Sequence, residues 1–117
     1  MNVERFLPLT PVVLEIALSL AAGERHGYEI MQDVERRTDG AIVLHPGTLY
    51  RALGRLLDQG LIEELDERPA DSGPGGSDER RRYYKLTALG QAVARAEVER
   101  LANQVSAARR VFRGGRA

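Results

Sequence analysis

The chain has 117 residues, with 17 basic and 17 acidic side chains, a formal net charge of zero and no cysteine. This length favours one domain with at most one appended element, and the lack of cysteine excludes disulfides, thiolate metal sites and thiol catalysis. No apolar run approaches the roughly 20 residues that span a bilayer, and the first residues do not resemble a signal peptide, so a cytoplasmic protein is expected.

A first helix is predicted to start at Pro11. Thr10 can cap it, Pro11 suits the first helical position, and Gly23 follows its end. Apolar residues recur at helical spacing between these limits: Val12, Val13, Ile16, Ala17 and Leu20. The helix is therefore expected to be mostly buried, with Glu15 and Ser19 facing solvent.

A second helix is predicted from about residue 27 to residue 37. Its apolar face comprises Tyr28, Ile30, Met31 and Val34, and its outward face comprises Gln32, Asp33, Glu35, Arg36 and Arg37. The turn-forming pair Asp39 and Gly40 ends it. Residues 41–44 then form a short extended segment that is expected to return to the core.

The third predicted helix begins at Pro46 and ends before Gly60. One face is an apolar stripe of Leu49, Ala52, Leu53, Leu56 and Leu57. By the 100° step of a helix, the opposite face consists of small or polar residues: Gly47, Thr48, Arg51, Gly54, Arg55 and Asp58. Tyr50 lies on the flank between them. Such a helix can pack on a core while its other face meets a polar partner.

A β-hairpin is predicted after the third helix. Residues 61–67 form one arm, residues 81–86 form the returning arm, and residues 69–77 form a long connecting loop that is expected to be mobile. Strand alternation places Arg81, Tyr83 and Lys85 outward if Tyr84 faces the core with Leu86. The outward row therefore carries two cations and a phenol hydroxyl.

Thr87 can cap a long last helix, which is predicted to reach about Phe112 before the tail frays. Leu89 and Val93 are expected to pack on the preceding domain. Further residues follow a 4-3-4-3-4 spacing, which is typical of a coiled-coil-like seam: Ala94, Val98, Leu101, Val105, Ala108 and Phe112. The last helix is therefore expected to pair with another helix.

Three helices followed by a two-stranded arm are the outline of a winged helix-turn-helix, a mainly α fold with a small sheet. A helix that enters the major groove needs a face without bulky apolar groups and with long donors, which Thr48, Arg51 and Arg55 provide. The outward strand row suits contact with phosphates. Solvated helix residues and a charge-protected edge strand would produce the same patterns, so both interpretations stay open at this point.

Five motifs, taken in order, resemble the PadR family of transcriptional regulators. They are residues 26–30 (HGYEI), 46–53 (PGTLYRAL), 60–62 (GLI), 82–87 (RYYKLT) and Gly90. The resemblance covers residues 14–90 and implies a dimeric winged-helix repressor that binds an operator with inverted symmetry. The single C-terminal helix resembles the compact branch of the family, in which that helix mediates dimerisation. The expected domains are a winged helix-turn-helix DNA-binding domain at 1–86 and a dimerisation helix with a frayed tail at 87–117.

The expected sites follow from the resemblance and from the residue chemistry. DNA contacts are assigned to Tyr28, Gly47, Thr48, Tyr50, Arg51, Arg55, Arg81, Tyr83 and Lys85. The dimer interface is assigned to Val98, Leu101, Val105, Ala108 and Phe112. The expected partners are double-stranded DNA, a second copy of the chain and, as the family implies, a small-molecule effector, while no cofactor or metal is expected. The alanines of the seam favour close packing over an open effector pocket.

Two features depart from the family pattern. His45 precedes Pro46 where the family often has serine, so side-chain capping of the third helix is in doubt. The long loop carries Asp71, Asp78 and Glu79. Because phosphate should repel an acidic tip, DNA contact is expected from the strand at residues 80–85 instead.

Two other classes of function are weighed. The zero net charge and the acidic loop would suit a winged-helix module for protein–protein contact, which gains support if acidic side chains interrupt the basic face. An enzyme is not expected, because the sequence has no nucleophile–base motif, phosphate-binding glycine loop or metal-ligand spacing. His26 and His45 are expected to be structural or solvated, and neither zinc binding nor a pH switch is assigned to them.

Overall fold

The computed structural model describes residues 2–65 and 82–114. Its elements, in chain order, are a short 3-10 helix Glu4–Phe6, α1 Pro11–Ala21, β1 Arg25–His26, α2 Gly27–Arg37, α3 Pro46–Asp58, β2 Ile62–Leu65, β3 Tyr83–Leu86 and α4 Ala88–Gly114. Helices dominate, and a small sheet lies beside them. The predicted winged-helix fold with a long terminal helix is therefore confirmed.

Two of the predicted helix caps are present. The Thr10 hydroxyl accepts a hydrogen bond from the Val13 backbone N–H at 3.2 Å at the start of α1. The Thr87 hydroxyl accepts one from the Gly90 N–H at 3.0 Å at the start of α4. Both bonds satisfy a donor that the helix itself leaves unpaired, so the helix starts follow from local sequence.

The sheet contains a strand that the sequence analysis missed. Its order is β1–β3–β2, with antiparallel pairing throughout. The two-residue β1 pairs Arg25 with Tyr84 and His26 with Tyr83, and the His26 ring meets the Tyr83 ring edge-on at 5.3 Å between centroids. Tyr83 is consequently only 6% exposed. The prediction that Tyr83 points outward is wrong, because β1 covers the side of β3 that a two-stranded hairpin would leave open.

One hydrophobic core joins the helices to the sheet. It is formed by Ile16, Leu20, Ile30, Val34, Leu44, Leu49, Leu53, Leu56, Leu61, Ile62, Tyr84 and Val93. Leu44 confirms that the segment at residues 41–44 returns to the core, and Val93 confirms that the first turns of α4 pack on the preceding residues. The predicted boundary between a DNA-binding domain at 1–86 and a dimerisation helix at 87–117 stays a prediction, because one core includes residues from both sides of it.

Two polar residues that were predicted to face solvent are buried between α1 and α2. Ser19 and Asp33 are both buried, and Asp33 accepts a hydrogen bond from Arg37 at 2.6 Å while Arg37 also donates to Glu15 of α1 at 2.9 Å. Burial alone would raise the pKa of Asp33, but the bound Arg37 guanidinium holds it below its ordinary value. The ion pairs thus join α1 to α2 where periodicity indicated only solvent.

The long helix α4 extends beyond the rest of the fold. The described residues span 66 × 33 × 23 Å, and from residue 102 onward every described residue of α4 is exposed. No helix in the described ranges is long and apolar enough to cross a membrane. Three predicted features lie outside the described residues: the mobile loop at 69–77, the orientation of Arg81, and the frayed tail at 115–117.

Candidate nucleic-acid interface

The exposed face of α3 carries two arginines one turn apart. Leu49, Leu53 and Leu56 bury the opposite face in the core, so Arg51 and Arg55 point away from it and are exposed. Neither arginine forms an ion pair with another residue of the described ranges. Both guanidinium groups are therefore available to an anionic partner.

The first turn of α3 lacks a side-chain cap. His45 occupies the cap position, but its ring forms no capping hydrogen bond, which confirms the doubt raised by the sequence. Pro46 has no N–H to satisfy. Thr48 is partly exposed and Gly47 is exposed, so the start of α3 offers small side chains and backbone donors to whatever approaches it.

The start of α2 is held by a capping box that the sequence analysis did not identify. The His26 Nδ1 atom accepts from the Glu29 backbone N–H at 3.3 Å, and the His26 N–H donates to the Glu29 carboxylate at 3.0 Å. The histidine is thus structural, as expected. The signal was the glutamate three residues after a residue with a side-chain acceptor. The Glu29 N–H, one of the donors that the first turn of α2 would otherwise leave unpaired, is therefore satisfied by this cap.

Tyr50 of α3 rests on Gly27 at the start of α2. A Cβ atom at Gly27 would collide with the Tyr50 hydroxyl and ring, so the Tyr50 side chain can lie in this position only while residue 27 is glycine. Half of Tyr50 remains exposed, and Tyr28 is 61% exposed although it was predicted on the apolar face of α2. Two tyrosines therefore stand at the surface beside the start of α2.

Two cations of the wing, which is the hairpin of β2 and β3, pair with glutamates of β2. Lys85 of β3 lies 3.7 Å from the Glu63 carboxylate, in register with it, and Arg82 lies 3.2 Å from the Glu64 carboxylate. These pairs are partly solvent-exposed. Within the described residues, the Glu63 and Glu64 carboxylates therefore offset the charges of Lys85 and Arg82 and interrupt the basic surface of the wing.

Tyr84 faces the core, as predicted. Burial raises the pKa of its hydroxyl, and the nearby Glu64 carboxylate adds to the effect. The residue contributes to the hydrophobic core. Both tyrosines of β3 are therefore buried, Tyr84 in the core and Tyr83 against His26 of β1.

The predicted seam of α4 divides into a buried start and an exposed remainder. Ala94 is buried within the fold, whereas Val98, Val105 and Phe112 are exposed large apolar residues, with Phe112 at 84%. A shallow groove follows this face and is lined by Val98, Leu101, Ala102, Val105, Ser106, Arg109 and Arg113. A second groove of about 470 Å³ lies between α1 and α4 and is lined by Leu18, Ala21, Gln91, Ala94, Arg95, Val98 and Glu99. The two grooves share Val98, so they meet at that residue.

Comparison with known proteins places the described geometry in a family. Residues 13–96 match the profile of the transcriptional regulator PadR-like family. The chain is 32% identical over 84 residues to an uncharacterised protein of Lysinibacillus sphaericus, covering 72% of this chain and 69% of that protein.

Solved structures give the same result for the fold. A PadR family transcription regulator from hypervirulent Clostridium difficile superposes with a TM-score of 0.71 at 24% identity, covering 88% of this chain and 99% of the other. PadR of Bacillus subtilis in complex with operator DNA has a TM-score of 0.64 at 21% identity, with 78% and 48% covered. The shared architecture therefore extends over most of this chain.

Proposed function

The chain belongs to the PadR-like family of transcriptional regulators, and we propose that it is a sequence-specific repressor that binds an inverted-repeat operator as a homodimer. The observation that carries this proposal is the exposed pair of arginines on α3, which lies opposite the face that the core buries and has no ion-pair partner among residues 2–65 and 82–114. Bacillus subtilis PadR, which shares the fold, has been solved with operator DNA. That complex supports double-stranded DNA as the partner.

In this proposal α3 is the recognition helix. Thr48, Arg51 and Arg55 read base edges in the major groove, because arginine can bond a guanine with two donors. Gly47 adds no bulk and lets the backbone approach the duplex. The surface tyrosines, Tyr28 and Tyr50, contact phosphates beside the groove.

The wing has a smaller part in DNA binding than the sequence indicated. Lys85 contacts phosphate only if DNA competes with the Glu63 carboxylate that already lies beside it. Tyr83 is buried and is not proposed as a direct contact. Arg81 keeps its predicted role in phosphate contact as a proposal.

The homodimer is proposed to form through the exposed seam of α4. Val98, Leu101, Val105, Ala108 and Phe112 repeat at helical spacing along a helix that extends beyond the core. A protein in water rarely exposes so long an apolar stripe without a partner. A second copy would cover it by two-fold symmetry, so the two α3 helices would enter successive major grooves about 34–36 Å apart.

An effector, if the protein has one, is proposed to bind weakly at this dimer interface. The seam combines branched residues with Ala94 and Ala108, which favours close helix contact over a roomy pocket. A thermal-shift screen of planar aromatic compounds tests this. Strong stabilisation of the dimer by any of them would contradict it.

One observation favours a second function, a winged-helix module that binds another protein. The pairs Lys85–Glu63 and Arg82–Glu64 interrupt the basic surface with acidic side chains, and the formal net charge is zero. Arg51 and Arg55 on α3 have no acidic partner within the part of the chain that the structure describes, so the DNA-binding proposal is the stronger.

The deciding experiment is fluorescence anisotropy with DNA from upstream of the protein's own gene and with a scrambled duplex, each at two salt concentrations. The proposal expects selective binding that weakens with salt by about 0.9 log units per phosphate contact per log unit of salt. Footprinting should protect two half-sites related by two-fold symmetry. Equal and weak binding to both duplexes would favour the protein-binding module instead.

A further inference from the structure

Glu97 is a buried carboxylate in α4 that DNA recognition does not use. The residue is 1% exposed. One oxygen accepts from the Arg100 Nε atom at 2.6 Å, and the other accepts from Arg100 Nη2 at 3.0 Å and from the Leu9 backbone N–H at 3.1 Å. A buried carboxylate is costly unless its oxygens are bonded. These bonds therefore hold the carboxylate in one position.

The Leu9 bond joins two distant parts of the chain. Leu9 directly precedes Thr10, the N-cap of α1, and lies 88 residues from Glu97. The Arg100 side chain keeps the pKa of Glu97 below its ordinary value in spite of burial. The carboxylate is therefore charged at neutral pH and ties the start of α1 to α4.

Glu97 also marks the place where α4 leaves the core. The buried residues of α4 are Gly90, Val93, Ala94 and Glu97, and none of the described residues after Glu97 is buried. Gly90 packs directly on the Leu61 carbonyl, where a Cβ atom would collide with it. Gly90 lies against Leu61 just before β2, Val93 and Ala94 are buried in the turn that follows, and Glu97 adds the last buried contact, to the start of α1. Because Glu97 is the last of these contacts, it is the one nearest to the exposed part of α4.

We propose that Glu97 is a positioning residue that fixes the direction in which α4 leaves the winged domain, and so fixes the separation of the two recognition helices in the dimer. This inference rests on the dimer proposed above. At 1.5 Å per residue, residues 98–114 extend about 25 Å. If the direction of α4 at Glu97 changes by about 10°, a point about 20 Å away along the helix moves by about 3.5 Å. This displacement is close to the 3.4 Å rise of one base pair.

The experiment measures distances between spin labels in the dimer without DNA. Because the chain has no cysteine, a single introduced cysteine can be labelled selectively. A label at Gln59→Cys, just after α3, reports the separation of the two recognition helices. A label at Asn103→Cys, exposed on α4, reports the pairing of the two α4 helices. Pulsed electron paramagnetic resonance gives both distance distributions, with and without Glu97→Gln.

We expect Glu97→Gln to shift the Gln59 distance by about 3 Å or more, or to broaden its distribution by a similar width, while the Asn103 distance stays unchanged. A second variant, Glu97→Leu with Arg100→Leu, replaces the ion pair with apolar groups and cannot accept the Leu9 N–H bond. Because no buried charge is left, its melting temperature should fall by less than that of an Arg100→Leu single variant, which leaves the Glu97 carboxylate buried without its cation. Its Gln59 distance should also change.

Other outcomes overturn the inference. An unchanged Gln59 distance in both variants, or a wild-type distance in the double variant, would mean that Glu97 only stabilises the fold. A change at Asn103 would mean that Glu97 acts on the seam itself. The absence of any inter-protomer distance in the wild-type protein would instead contradict the proposed dimer, and with it the premise of the inference.

Discussion

The helices α3 and α4 share one core but expose opposite chemistry. Leu49 and Leu53 of α3 and Val93 of α4 belong to the same hydrophobic cluster. The outer face of α3 carries exposed arginines, whereas the outer face of α4 carries valine, leucine and phenylalanine. The core imposes the same periodicity on both helices and leaves their outer faces free. The outer faces therefore carry the information about partners, an anionic one for α3 and an apolar one for α4.

The largest effect is expected when the charge of α3 is removed. Arg51→Ala with Arg55→Ala should cost about 2–6 kcal/mol of operator binding per protomer, since each lost base contact costs about 1–3 kcal/mol. Fluorescence anisotropy at fixed salt measures the loss. The matched control is Arg110→Ala, which removes an exposed cation from α4. An equal loss of operator affinity from the α3 and α4 variants would mean that the exposed face of α3 is not specific for DNA.

A charge on α4 tests the opposite face. Val105→Asp should weaken dimerisation by about 2–4 kcal/mol, because it places an unpaired carboxylate in an apolar seam. Sedimentation equilibrium measures the dimer, and operator affinity should fall with it. Asn103→Asp adds the same charge to an exposed position off the seam and should leave the dimer intact. Dissociation by both substitutions would indicate long-range repulsion rather than a specific seam.

The contact that sets α3 against α2 is tested at Gly27. Gly27→Ala should destabilise the fold by about 1–3 kcal/mol, because its methyl group collides with Tyr50. Gly54→Ala is the control, since nothing lies within 4 Å of a Cβ there, and alanine in a helix should stabilise by about 0.5–1 kcal/mol. Urea unfolding measures both. Opposite signs are the expected result, and equal signs would contradict the close packing.

Acid should weaken the attachments of α1 to α2 and to α4. The folded-state pKa values of Asp33 and Glu97 lie below their ordinary values of 3.8 and 4.5. Their stabilisation is therefore complete above about pH 4.5 and is lost as the pH falls through the lowered values. Urea unfolding at a series of pH values measures the loss. Glu97→Gln should reduce this acid sensitivity, and an unchanged slope in that variant would contradict the assignment.

The smallest effect is expected at the wing. Lys85→Ala should reduce operator affinity by less than Arg55→Ala does, because Lys85 already shares its charge with Glu63 and exposed pairs are worth about 0.2–1 kcal/mol. Glu63→Gln should raise affinity slightly by releasing the lysine. Anisotropy at low salt measures both changes. If Lys85→Ala lowered operator affinity as much as Arg55→Ala does, the wing would contribute as much to DNA binding as α3.

Much of the fold could be predicted because its signals are local. Thr10 and Thr87 cap helices through bonds to the third following residue, and the leucines of α3 repeat with the helix period. The exposed arginines of α3 follow from the same periodicity. Tyr83 could not be placed correctly, since its burial depends on β1, a two-residue strand without a periodic signal.

Local chemistry along the chain thus specified the helix limits, the core face of α3 and the apolar seam of α4, because hydrogen bonds to nearby residues and helical periodicity act over a few positions. Tertiary contacts alone determined that Tyr83 is buried, that the Tyr50 side chain packs against Gly27, and that Glu97 binds the start of α1. Each of these contacts joins residues far apart in sequence, and no local pattern in the sequence predicts that such residues are in contact.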